Sequence, residues 1–132
     1  LVIEDGPTTT HGGMAYGAGH VAAMRAGAAT IVDPRPYAAP EIAAVYAAYP
    51  RLGAVLPAMG YNPEQLAGLA QTINASPADV VVSATPVDLT ALIAVNKPVI
   101  RARYELAELE TPGLGGLVEG YLQRSGLVSR EA

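Results

Sequence analysis

The sequence predicts a three-layer α/β fold: an open, mostly parallel sheet of about five strands with helices on both faces. Three observations carry this. Short β-branched runs alternate with Ala- and Leu-rich segments of helical spacing, the pattern of a parallel sheet covered by helices. The runs are apolar almost throughout rather than alternating, as strands are when both faces are covered. Polar, Gly-rich or Pro-rich segments follow them, at the strand ends where open α/β sheets place their ligand sites.

Element by element, Leu1–Glu4 reads as a buried strand, and a Gly/Thr-rich loop leads from it to a helix at Gly19–Ala26 that stops at Gly27. Thr30–Asp33 is a second strand. Pro40-Glu41 opens a helix to Tyr49, with the carboxylate near the positive end of its dipole. Gly53–Leu56 is the third strand. Asn62-Pro63-Glu64-Gln65 supplies an N-cap acceptor, Pro at N1 and Gln at N3 for a helix over Pro63–Asn74. Asp79–Ser83 is the fourth strand, and Thr85-Pro86-Val87-Asp88 repeats the capping logic for a helix over Pro86–Val95. Lys97-Pro98 ends that helix before the last strand, Val99–Arg103. An acidic stretch, a Thr111-Pro112-Gly113 turn and a Gly-weakened amphipathic helix at Leu114–Arg124 follow. The whole is a Rossmann-like single domain over residues 1–132, with a core at 1–104 and a helical tail at 105–132. It opens on a strand with no initiating Met, so a C-terminal piece of a longer multidomain polypeptide is expected.

Composition narrows the chemistry. The 132 residues contain no Cys, Trp or Phe, so Val, Ile, Leu and Ala must fill the core, with Tyr as the only aromatic. Without Cys there is no disulfide framework, thiol nucleophile or thiolate metal site, and a cytoplasmic location is the default. Eight basic against twelve acidic residues cannot neutralise many phosphates, which disfavours nucleic acid. No apolar run approaches the ~20 residues needed to span a bilayer.

The richest chemistry lies in Glu4-Asp5-Gly6-Pro7-Thr8-Thr9-Thr10-His11-Gly12-Gly13 and on to Gly17-Ala18-Gly19. Asp5 is the better candidate of the two carboxylates for acid/base or Mg²⁺ work, because successive strand residues face opposite ways. The alternative is that either one caps the following loop. His11 could carry a proton near neutral pH, whereas His20, on a helix, reads as structural. Thr8 and Thr10 would bond a phosphate or cap local backbone. Gly12, Gly13, Gly17 and Gly19 allow close approach, and a helix starting Gly17-Ala18-Gly19 has no side-chain cap, so its first amides are expected to be free for an anion.

Gly17-Ala18-Gly19-His20-Val21-Ala22 matches G-x-G-x-x-A, with Asp33 placed as a ribose acid, but roughly ten residues separate it from the strand that a dinucleotide fingerprint must follow. Gly12 to Gly17 has Walker A spacing, yet Ala18 and Gly19 hold the Lys and Ser/Thr positions.

Asp33-Pro34-Arg35-Pro36-Tyr37 aims a cation from a rigid loop, toward a ligand or into an Asp33–Arg35 ion pair. With Thr85 and Asp88, these segments would form one polar rim. Arg101 and Arg103 share a face of the last strand and would serve a subunit contact, an anion or, most commonly, protection of an exposed edge. The histidines make no zinc motif; any other metal ligands stay unknown.

The strings VIEDGPTxTHGGMxYGAG, VDPRPYA, VLPAMGY, TINxS, TPVDL and NKPVIRxRYEL, spread from Leu1 to about Leu106, resemble the C-terminal region of cyclic 2,3-diphosphoglycerate synthase-like and P-loop GTPase-like proteins. Thr9, His20 and Ala84 stand where Leu, Tyr and Gly are more usual there. The resemblance implies an upstream P-loop NTPase domain and ATP- or GTP-linked phosphoryl transfer with Mg²⁺ in the full-length protein. The convergence of the polar segments on the strand ends points to a phosphorylated small acid as ligand, with His11 and Asp5 as the catalytic candidates and Arg35 and the loop amides holding phosphate; a homo-oligomer is also expected. The rival is a non-catalytic oligomerisation or docking module; a dinucleotide binder is weaker still. A chain lacking a P-loop is not expected to act alone.

Overall fold

The computed structural model describes residues 1–105 and 107–127. Four short strands, β1 (Val2–Asp5), β2 (Leu56–Ala58), β3 (Val81–Ser83) and β4 (Val99–Arg101), form one sheet in the order β2-β1-β3-β4. Every pairing is parallel, with Ile3 opposite both Leu56 and Ser83, and Ser83 opposite Arg101. All strand C-termini therefore share one edge.

Alternation along β1 splits the core in two. Leu1 and Ile3 join Ile42, Tyr46, Leu56, Leu69, Ile73 and Val81 in a large cluster under α3 (Pro40–Ala48) and α4 (Pro63–Ala75). Val2 points the other way, to Ala23 and Val55 beneath α2 (Ala18–Arg25). Helices thus lie on both faces, as expected of a three-layer fold.

Three local expectations are corrected. Thr30–Asp33 enters no ladder: Ile31 packs on the smaller cluster, but the segment stays half-exposed and runs into Pro34, which has no amide to pair. The sheet has four strands rather than five. Pro86–Val95 forms only a 3₁₀ turn at Leu89–Ala91, which starts later than expected, with Asp88 rather than Thr85 as its cap through the amide and hydroxyl of Thr90, and ends at Leu92. Conversely, Gly6–His11, read as loop, is a short helix, α1, with Asp5 at its N-cap and Pro7 in its first turn.

The last helix, α5, spans Leu114–Arg124 as expected, and none of its residues is buried. No helix among the described residues is long and apolar enough to cross a membrane.

Candidate functional site

The loops that leave the shared strand edge decide what a ligand would meet there. After β1 the chain turns at once into α1, since Asp5 accepts the Thr8 amide at 3.3 Å and the Thr8 hydroxyl as well. Asp5 is half-buried, and its other oxygen has no hydrogen-bond partner among the described residues. Thr9 and Thr10 donate back to the Gly6 carbonyl at 3.0 and 2.9 Å, which is the capping use of a Thr run. His11 and Gly12 are exposed at the end of α1, and Gly13 follows with φ +63°, a left-handed conformation suited to glycine.

The expectation of free amides at the start of α2 is corrected. Glu4 reaches over from β1 and accepts from Gly17, Gly19 and His20 at 3.0, 3.2 and 2.8 Å. Its side chain is 2% exposed and occupies the place assigned to a ligand phosphate. Gly19 is required for a second reason: a Cβ there would stand 2.7 Å from the Ala84 Cβ and 3.0 Å from Val2. Glu4 is thus committed to the fold and cannot join Asp5 around Mg²⁺. No group of three or more His, Cys, Asp or Glu is placed to hold a metal among the described residues.

The single rim expected from sequence separates into parts. Asp33 pairs with Arg35 at 2.8 Å, and Arg35 also donates to the Leu52 carbonyl and lies 5.0 Å above the Tyr46 ring. Leu52 precedes β2, so this cation braces the loop entering the sheet. Tyr37 ends the same 3₁₀ turn, Arg35–Tyr37. Burial pushes the Tyr46 phenol up, and its hydroxyl donates to the Val55 carbonyl at 2.6 Å. Thr10 and Gly13 border a separate cleft of about 170 Å³ with Arg51 and Leu52.

What the edge does bring together is a groove in two adjoining sections. One, of about 180 Å³, is bordered by Asp5, Thr8, Met14 and Gly17; the other, of about 440 Å³, by Thr85, Pro86, Arg101 and Arg103. Ala84 and Tyr104 border both, so the sections meet there. Thr85, almost fully buried, shares a 2.8 Å hydrogen bond with the Tyr61 hydroxyl, tying the loop after β2 to the end of β3. Asp88 is exposed nearby; its bond from the Thr90 hydroxyl, aided by Arg101, holds its carboxyl below the usual range. Arg101 and Arg103, favoured as edge guards from sequence alone, prove to line the larger section. Their alternate spacing was legible, but not the loop that walls the cleft.

No family model matches this chain, and no solved structure matches it. It is 55% identical over 119 residues to the arginine synthetase ArcE of Thermococcus kodakarensis. That alignment covers 90% of this chain and 27% of the relative, so the chain spans about a quarter of its length. The relative carries a different name from the family that the motifs resemble, and the alignment supplies nothing for a P-loop.

Proposed function

We propose that this chain is an α/β region of a nucleotide-dependent synthetase related to arginine synthetase, contributing a substrate-binding groove at the C-terminal edge of its sheet. The observation that carries it is the 55% identity over 90% of the chain. The groove supports the placement, because it lies where parallel α/β sheets bind ligands and combines a carboxylate, hydroxyls and guanidinium groups.

In this reading the nucleoside triphosphate supplies the free energy for bond formation and is handled by residues outside this chain. Within the chain, Asp5 has an oxygen with no partner for a proton or an ammonium group. Tyr61 and Thr85 keep the groove wall in place.

The test is an assay of the full polypeptide carrying this chain, with ATP or GTP, Mg²⁺ and amino-acid precursors. Arginine formed in step with nucleotide consumption is the expected result; its absence with every precursor overturns the reading. Cyclisation of 2,3-diphosphoglycerate instead would assign the chain to the family its motifs resemble.

A second reading, a docking module, has one observation in its favour. Leu114, Leu117, Val118 and Tyr121 form an exposed stripe along α5, at helical spacing. Deleting α5 separates the two, since the docking reading expects loss of assembly with the groove intact.

A further inference from the structure

The geometry points to Arg101 and Arg103 as a paired clamp for an oxyanion group, a phosphoryl or carboxylate, of a small molecule seated in the larger section of the groove. This rests on the reading that the strand-end edge is the ligand-binding edge, and it adds the chemistry that the edge recognises.

The ladder continues past the end of β4, because the Ala102 amide donates to the Ser83 carbonyl at 2.8 Å. The backbone is therefore paired between the two arginines, and both side chains leave on the same side, with Cα atoms roughly 6.6 Å apart. Two guanidinium groups at that spacing can converge on the oxygens of one group. Arg101 is already positioned, since its Nη2 donates to the Pro86 carbonyl at 3.1 Å and leaves its other donors available.

Neither arginine forms an ion pair among the described residues; the Asp33–Arg35 pair lies elsewhere. Two carboxylates are near enough to compete. Asp88 spends one oxygen on Thr90, and Glu105 borders the cleft. Charges that merely guard an edge strand work by staying hydrated. Here one is held by a backbone carbonyl, and both border a cleft. At about 440 Å³ that cleft is in the range of small-molecule sites, with room for more than the oxyanion itself.

The experiment is titration calorimetry on the full polypeptide with inorganic phosphate in one arm and acetate in the other. Binding of at least one probe at millimolar concentration is expected, and the tighter probe identifies the group. Arg101→Ala and Arg103→Ala should each weaken it about tenfold, the loss of one charge-assisted contact. Arg103→Lys, which keeps the charge and loses the fork, should fall between. Arg124→Ala, on α5, should change nothing.

Equal affinity in wild type and both alanine variants overturns the clamp, as does binding of neither probe. These outcomes are separable from failure of the synthetase reading: arginine formation can persist while the anion effects vanish, and the clamp can hold in a protein that makes no arginine.

Discussion

Two helix starts in this molecule solve the same problem by different means. At α4 the solution is local: Asn62 accepts the Gln65 amide at 2.9 Å, Pro63 occupies the first turn, and Glu64 faces the dipole. At α2 the N-cap is Gly17, which has nothing to offer, and the acceptor comes from a different element, the Glu4 carboxylate of β1. The local cap fixes where a helix begins. The borrowed cap also fixes where the helix sits, because three amides must converge on one side chain of the sheet.

The contrast can be tested by removing its parts. Glu4→Ala should have the largest effect, about 4 kcal/mol of stability, since it strands amide donors that water reaches poorly. Glu4→Gln, keeping the shape and one acceptor, should cost about half as much. Urea denaturation measures both, and a loss under about 1 kcal/mol would show that water replaces the carboxylate.

Gly19→Ala comes next, at about 2 kcal/mol, because its new methyl would press on the Ala84 and Val2 side chains and on the Glu4 carboxylate that caps the helix. Asn62→Ala should cost about 1 kcal/mol, the ordinary value of an exposed cap; a loss as large as that of Glu4→Ala would erase the contrast.

The smallest effect belongs to the capped 3₁₀ turn. The Asp88 pKa is lowered in the folded state from its usual 3.8, so its contribution is present above that value and fades as pH falls through the lowered one. Asp88→Asn should abolish this acid-side dependence by lowering stability slightly at neutral pH while leaving it unchanged in acid, as followed by unfolding midpoints from neutral pH into the acid range.

The sequence rules that succeeded here are the local ones. Pro63 marks where a helix begins because its cap, Asn62, is adjacent in the chain, and the apolar runs at Val2 and Val81 announce buried strands, whereas β2, expected at Gly53–Leu56, forms at Leu56–Ala58. Asp5-Gly6-Pro7 carries the same signal as Asn62-Pro63, but Gly6 and three threonines obscured α1. Thr30–Asp33 has strand composition and no partner to pair with, and pairing is decided by the whole sheet.

The candidate site follows the same division. Its location at the strand ends was legible from the parallel pattern. Its membership was not: Glu4 is used by residues beyond Tyr16, Arg35 by Leu52 and Tyr46, and Arg101 by Pro86. Each of these partnerships exists only once the chain has folded.

One methyl group sits where these threads cross. Ala84 lies against Gly19, setting how close α2 comes to β3, and it also borders both sections of the groove. A bulkier residue there would lift the helix and fill the groove together, and a glycine would open room for both. Selection for a tighter scaffold and selection for a wider binding groove therefore act on the same few cubic ångströms, so a substitution at position 84 can be interpreted only alongside the residue at position 19.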